Sequence, residues 1–289
     1  MKNFGYFAPD TLQEALSLLD NKQQKAKVLA GGTDLIGQMR TGSLQPGFII
    51  DIKKIPELNC LELRGDKTLH IGAAVPISKI IAFSPVIRKF NILHQGCSVI
   101  GSTRIRNRAT MGGNICNAAP SADSIPALLC LGAKVVVAQR VGSRIIPLES
   151  FFLGPGKTAL APNEMLVEIE IPVPSAHSSG RYVRHTPREK MDIAVVGVAA
   201  FLIFAPSSKI CQEARIALGA VAPTPIRVPQ AEALLSGKSL NNENIEKVIE
   251  KVAEAASPIS DIRSSAEYRR ELLKVLTRRA LKEAYRLRI

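Results

Sequence analysis

The residues of this chain best suited to chemistry sit in two glycine loops. "VLAGGTDL", from Val28 through Leu29, Ala30, Gly31, Gly32, Thr33 and Asp34 to Leu35, places a glycine pair between an apolar run and the start of a helical pattern. "NRATMGGNICNAAPSADSIPALLCLGAK", Asn107 to Lys134, sets Gly112 and Gly113 between Thr110-Met111 and Asn114, and a Pro-Ser-Ala-Asp turn ends at Asp123. Adjacent glycines leave backbone N–H groups unshielded, and such groups at a helix start favour an anion such as pyrophosphate. One helix terminus contributes only about 0.3–1 kcal/mol. A tightly held dinucleotide therefore needs both loops, closing on opposite sides of one phosphate pair, with Thr110 and Asn114 adding a hydroxyl and a carboxamide. Neither loop contains G-x-G-x-x-G, so neither is a Rossmann fingerprint, and a lone Gly-Gly is more often a plain turn than a ligand site. The second loop says more. Its flanks, Arg104 to Arg108 before and Asn117, Pro120 and Asp123 after, form a polar run longer than turn chemistry requires.

Other chemistry finds little support. Cys60, Cys97, Cys116, Cys130 and Cys211 are scattered, without the close pairs that a zinc or iron–sulfur site needs, and read as core filler in a reducing compartment. No metal is expected. His70, His94, His177 and His185 show neither metal-ligand nor triad spacing. No catalytic acid, base or nucleophile is assigned.

The elements that must position the loops follow from periodicity. "TLQEALSLL" has a capping box, Thr11 with Glu14, before apolar residues at helical spacing. "AKVLAGGTDLIGQMR" reads as strand, tight turn and helix, and "GFIIDIKK" as the next strand, giving an α/β unit that ends near Lys54. A hairpin about Gly65-Asp66, a helix opened by Pro76, one helix over "SPVIRKFNILHQGCSVI", a hairpin about Gly142 and the strand "MLVEIEIPVP" make a second unit, Asn59 to Pro174. The polar "SAHSSG" suits a boundary. Three strands ("RYVRHT", "DIAVVGVAAFLIFA", "CQEARIALGAVAP") and three helices follow.

Composition, 46% hydrophobic and 22% charged, is that of an ordinary globular enzyme. No apolar run approaches the roughly 18 residues of a membrane span, and the N-terminus lacks a signal-peptide stretch, so a cytoplasmic protein without membrane insertion is expected. The net charge of +13 invites a nucleic-acid reading. Its placement argues otherwise. Arg263, Arg269, Arg270, Lys274, Arg278, Arg279, Lys282, Arg286 and Arg288 gather in the C-terminal helical segment beside an apolar stripe, which suits a docked amphipathic helix or an acidic partner subunit. With no Trp and 4% aromatics, stacking platforms for single strands are scarce.

Three motifs together resemble one family. "VLAGGTDL", "IGSTRIRNRATMGGNICNAAPSADSIPALLCLGA" (Ile100 to Ala133) and "SDIRSSAEYRRELLKVLTRRAL" (Ser260 to Leu281) are similar, in order and over essentially the whole chain, to the FAD-binding (medium) subunit of molybdenum hydroxylases, the xanthine dehydrogenase and carbon monoxide dehydrogenase type. The resemblance implies an α+β fold: a two-subdomain FAD-binding fold of the vanillyl-alcohol oxidase/PCMH type over 1–55 and 56–175, then a C-terminal domain over 180–289 with a three-stranded sheet and a three-helix bundle. Val28 to Leu35 would wrap the FAD pyrophosphate, and Thr110 to Asn114 would approach it from the second subdomain. Ile100 would pack near the flavin or adenine, Asp123 would bond a ribitol or ribose hydroxyl, and Leu166 and Arg184 match contact positions near the isoalloxazine. Arg184 departs from the family's usual Lys. It keeps a charge that favours the reduced ring but loses the compact ammonium geometry.

The implied role is to carry electrons from a small subunit with two-iron two-sulfur clusters, fed by a molybdenum-cofactor large subunit, to NAD or another acceptor, in a dimer of heterotrimers. The cysteine-rich insertion of hydroxybenzoyl-CoA reductase relatives is missing. Alternatives are a stand-alone FAD oxidoreductase of the same fold, such as the UDP-N-acetylenolpyruvoylglucosamine reductase or alcohol oxidase type, and a basic nucleic-acid-binding or scaffold protein.

Overall fold

The computed structural model describes residues 2–189, 191–206 and 208–287. The chain opens with β1 (Gly5–Phe7), α1 (Leu12–Lys22), β2 (Ala26–Leu29), α2 (Leu35–Thr41) and β3 (Phe48–Asp51). The Thr11 hydroxyl caps α1 by accepting from Glu14 N at 3.2 Å, and the Glu14 carboxylate accepts in return from Asp10 N, one residue earlier than a standard box. Ala15, Leu16 and Leu19 of α1 are buried in one cluster with Ile50. The first sheet has order β1-β3-β2 with both pairs parallel. Only β1 is absent from the pattern reading, because three residues are too few to show alternation.

Next come β4 (Leu61–Arg64), β5 (Thr68–Gly72), α3 (Ile77–Ala82), α4 (Ser84–Lys89), α5 (Asn91–Ser98), α6 (Thr103–Arg106), α7 (Met111–Asn117) and α8 (Ser124–Cys130). Then follow β6 (Lys134–Ala138), β7 (Ser143–Pro147), β8 (Phe152–Gly154), β9 (Lys157–Thr158) and β10 (Met165–Pro172). The five-stranded sheet β4-β5-β10-β6-β7 is antiparallel. Gly65 and Asp66 both take positive φ, 56° and 52°, the two left-handed residues that a tight hairpin turn requires. The single helix expected over Ser84 to Ile100 divides at the fully buried Phe90, whose φ of −123° and ψ of 44° leave the helical region.

The chain ends with β11 (Ser178–His185), β12 (Val196–Phe204), β13 (Ile210–Gly219), β14 (Ile226–Arg227), α9 (Pro229–Ala233), β15 (Lys238–Ser239), α10 (Asn242–Ala255) and α11 (Ala266–Arg286). Ser178 to Gly180, expected as linker, already pair in β11. The sheet runs β11-β12-β13-β14, with β15 also on β13. The three expected strands thus carry two short additions.

The chain packs as two compact units, Met1–Ala82 with Thr103–Ala118 and Ala133–Pro172, and Phe83–Ser102 with Ala119–Gly132 and Val173–Ile289. The first holds the three β-sheets of the N-terminal half, the two-stranded β8-β9 pair included. In the second, Val198, Ala200 and Leu202 join the core formed by Val248 and Val252 of α10 and Leu273, Leu276 and Ala280 of α11. Their alternates face α5 and α8: Phe201 approaches Gly180, where Ile92 also packs, and the Cys130 thiol donates to the Ala199 carbonyl. Both faces of the sheet are covered, which is why "VGVAAFLIF" is apolar throughout instead of alternating.

Candidate cofactor site

Val28 and Leu29 end β2, residues 30–34 turn, and Leu35 opens α2. Gly32 takes φ 78°. Gly31 is required by proximity: a Cβ there would lie 2.1 Å from the Arg108 carbonyl oxygen and 2.9 Å from the Ala109 α-carbon. The second glycine segment therefore runs directly across the first, within one unit. Among the described residues, no hydrogen bond uses the backbone N–H of Ala30, Gly31, Gly32, Thr33 or Asp34, whereas the Gly32 and Asp34 carbonyls accept from Ile36 and Gln38 at 3.1 and 2.9 Å. Ala30 to Thr33 are half-buried and Asp34 is exposed. Five successive undonated N–H groups at the carboxyl end of a parallel strand are an anion cradle, and they fit the pyrophosphate of a dinucleotide. α2 has only seven residues, so the attraction rests on these donors more than on a helix dipole.

The second loop is organised differently. Thr110 is buried; its hydroxyl accepts from Gly113 N at 3.0 Å, and its carbonyl accepts from Asn114 N at 3.0 Å. That hydroxyl caps α7. Gly112 lies against Ala73, where a Cβ would stand 2.6 Å from the carbonyl oxygen, and Met111 is wholly buried. Gln38 donates to the Asn117 side chain at 3.5 Å, tying α2 to the end of α7. The Gly31 contact with Arg108 and Ala109 and the Gln38–Asn117 bond hold the second segment against the first, while "TMGGN" packs on Ala73 as the start of α7. Leu166, in β10 opposite Val137, is 2% exposed, and its side chain belongs to the core.

Ile100, Asp123 and Arg184 lie in the second unit. Ile100 is half-buried in the turn after α5, with Gly101 at φ 48°. Asp123 is buried. Its Oδ1 accepts from Tyr182 Oη at 2.7 Å, and its Oδ2 accepts from Arg184 Nη1 at 2.6 Å. Burial pushes the Asp123 carboxyl up to about 6, with Arg184 and Tyr182 pulling it back. Each carboxylate oxygen keeps a lone pair for a sugar hydroxyl. Arg184 is no exposed strand charge; only 10% of its side chain is accessible, and it also reaches the Asp192 carbonyl at 3.4 Å. Tyr182 escaped the sequence reading. Its signal was alternation, since Tyr182 and Arg184 are two apart on one strand and share a face. Across from Arg184 stands Gly197, where a Cβ would come within 2.7 Å of Tyr182 Oη, so the glycine makes room for the phenol. Gln95 accepts from Tyr182 N at 2.8 Å and fixes the strand edge.

The fold also brings together His70, Glu168 and Glu170, with ligand atoms within 4.8 Å of one another, which no sequence spacing announced. His70 Nδ1 bonds Glu168, and Arg64 Nη1 stands 3.2 Å from the imidazole and 3.5 Å from the carboxylate. The guanidinium already contacts two of the three candidate ligands, His70 and Glu168.

Residues 2–174 match the family described as the FAD binding domain in molybdopterin dehydrogenase, and residues 181–284 match the CO dehydrogenase flavoprotein C-terminal domain. The xanthine dehydrogenase FAD-binding subunit of Escherichia coli O157:H7 is 36% identical over 96% of this chain and 95% of its own length. The carbon monoxide dehydrogenase medium chain of Hydrogenophaga pseudoflava is 32% identical over 98% of this chain and 97% of its own. Among solved structures, carbon monoxide dehydrogenase from Hydrogenophaga pseudoflava superposes with a TM-score of 0.96 at 32% identity, covering 100% of this chain and 99% of that one. Quinoline 2-oxidoreductase from Pseudomonas putida 86 gives 0.92 at 30% identity, with 99% of each covered. The glycine cradle, the locked second loop and the two matched domains agree: the chain belongs to the FAD-binding medium subunits of the molybdenum hydroxylases, oxidoreductase subunits whose cofactor is FAD.

Proposed function

We propose that this chain is the electron-transfer flavoprotein of a multi-subunit molybdenum hydroxylase. It receives electrons from a small subunit with two-iron two-sulfur clusters, downstream of a molybdenum-cofactor large subunit, and passes them to NAD or another acceptor. The observation that carries the reading is the cradle of five undonated N–H groups held against the second glycine segment by the Gly31 contact. Residues 28–35 would hold the pyrophosphate, with residues 110–114 behind them. Asp123 would accept a sugar hydroxyl, and Ile100, Leu166 and Arg184 would lie toward the ring system. When bound, FAD supplies the exchange of electrons between one- and two-electron partners. The chain binds and orients it, and the paired Arg184 fixes the charge beside it.

Support for partner subunits comes from the relatives, which are described as subunits or medium chains. The assembly would be a dimer of heterotrimers. All five cysteines are unpaired thiols, which suits the cytoplasm. No helix among the described residues is long and apolar enough to cross a membrane. Anaerobic titration of the purified complex with NADH tests the acceptor. Bleaching of the oxidised-flavin band supports NAD; a band that stays while dithionite bleaches it and a quinone or dioxygen restores it rules NAD out.

A further inference from the structure

Asp123, Tyr182 and Arg184 form one closed group within the second unit. Tyr182 Oη donates to Asp123 Oδ1 at 2.7 Å, and Arg184 Nη1 donates to Oδ2 at 2.6 Å. Two neighbouring residues of α5 fix its frame. The Gln95 side chain accepts from Tyr182 N at 2.8 Å, and a Cβ on Gly96 would stand 2.7 Å from the Asp123 carbonyl oxygen. Gly197 of β12 leaves the space that the phenol fills. All three side chains are buried, so solvent screens their charges little.

The net charge of the group depends on one proton. With Asp123 ionised its pair with Arg184 is neutral; with Asp123 protonated the full charge of the guanidinium remains. A hydrogen-bond donor favours the ionised carboxylate, and the phenol is such a donor, because burial and Asp123 push its own pKa well up. The other groups around Asp123 do not compete. The Cys97 thiol of α5 is pushed up by burial and by Asp123, and so stays neutral. Arg215 of β13 donates to the Cys130 carbonyl at the far end of α8, and Arg227 of β14 pairs with Glu232. Asp192 meets Arg184 through its backbone carbonyl, while its carboxylate accepts from Arg188.

We propose that Tyr182 is a positioning residue that lowers the reduction potential of the flavin: its phenol keeps the Asp123–Arg184 pair closed, so the ring meets a neutral pair and not a free guanidinium. The inference rests on the reading above, in which Arg184 lies toward the ring system. A cation beside a flavin favours its reduced form, and closing the pair withdraws that help.

The test uses the full chain purified with its partners, as wild type, Tyr182→Phe, Gly197→Ala, the double variant of these two, and Arg184→Ala. FAD per chain is measured first. The midpoint potential then comes from anaerobic titration with dithionite and an indicator dye, read from flavin absorbance after subtracting the signal of an FAD-stripped sample. Tyr182→Phe should raise the potential most near neutral pH, above the value of about 6 at which the wild-type Asp123 titrates. The two profiles should converge toward about pH 5, where both carboxyls are protonated, and toward about pH 9, where both are ionised. Gly197→Ala, whose new carbon would lie 2.7 Å from the phenol oxygen but 3.4 Å from the nearest ring carbons, should raise the potential by displacing the hydroxyl. The double variant should match Tyr182→Phe alone, since no hydroxyl is left to displace. Arg184→Ala should lower the potential. A Tyr182→Phe profile equal to wild type at every pH, while Arg184→Ala moves the potential, would overturn the proposal. So would a shift equal at every pH, which would take the effect away from the Asp123 proton, or loss of FAD from folded Tyr182→Phe, which would make the phenol a binding group. An unchanged potential in FAD-loaded Arg184→Ala would strike the placement of Arg184 instead, so the two fail separately.

Discussion

Gly31 and Gly112 are fixed by close packing, and their substitution should act through backbone displacement. Gly31→Ala, with the new carbon 2.1 Å from a carbonyl oxygen, should cost about 1–3 kcal/mol and release FAD. Gly37, inside α2 with nothing within 4 Å of its added carbon, is the control, and Gly37→Ala should stabilise by about 0.5–1 kcal/mol. Urea titration of each, with flavin absorbance, checks both. Asp123 carries the pH dependence. Its carboxyl sits up at about 6 because burial outweighs its partners, so as pH falls through 6 the native protein takes up a proton that the unfolded chain binds only near its ordinary value of about 4. Stability from this group therefore grows on going from neutral pH toward 4 and is lost above 6. Relative to Asp123→Asn, the wild type should gain in melting temperature from pH 7.5 to pH 5; parallel profiles would remove the titration from Asp123. At this scale the sequence showed which residues mattered better than why. "TMGGN" reads as a loop, whereas Thr110 caps α7 and Met111 to Asn114 form its first turn; the packing of Gly112 on Ala73 and of Arg108 and Ala109 on Gly31 joins segments far apart in the chain, and no local pattern encodes that.

The elements were legible where periodicity was strong. α1, both hairpins and the three long strands of the second unit follow the alternation and turn chemistry of their residues. β1 and the break at Phe90 were not, since one is too short for a pattern and the other is set by burial of a single ring. The partition of α4, α5 and α8 into the second unit could not be read either, because the signal lies in the second apolar face of β12, which looks from sequence like any buried strand. Arg269 belongs to this scale, for it joins the start of α11 to the ends of β12 and β13 through two carbonyls and Asp261. Removing it by Arg269→Ala should cost about 1–3 kcal/mol, because it leaves the Val195 and Ala220 carbonyls without their donor while Asp261 stays exposed, and Arg269→Lys should recover only part of that. A denaturant midpoint equal to wild type in Arg269→Ala would show that the helix holds without it.

Over the whole molecule the charge of +13 no longer needs a nucleic acid. Arg269 is buried, Arg278 forms a two-pronged pair with Glu246 at 2.9 and 2.6 Å, and Arg181 pairs with Glu283 at 2.6 Å, so part of the basic helix serves to hold α11 to α10 and β11. Arg278→Glu should therefore lower stability by about 1 kcal/mol or less, as for an exposed pair, and leave FAD in place. Arg288, counted in the basic tail, lies outside the described residues. The claim on which the rest depends is that the two glycine segments together hold the cofactor. The most direct measurement is the visible spectrum of the full chain, purified with its partners, beside that of Gly31→Ala and Gly37→Ala, with circular dichroism on each. The account predicts an oxidised-flavin spectrum in wild type and Gly37→Ala, lost or strongly reduced in Gly31→Ala at native circular dichroism. Equal flavin in all three would contradict it, and would move the cofactor away from the cradle at residues 30–34.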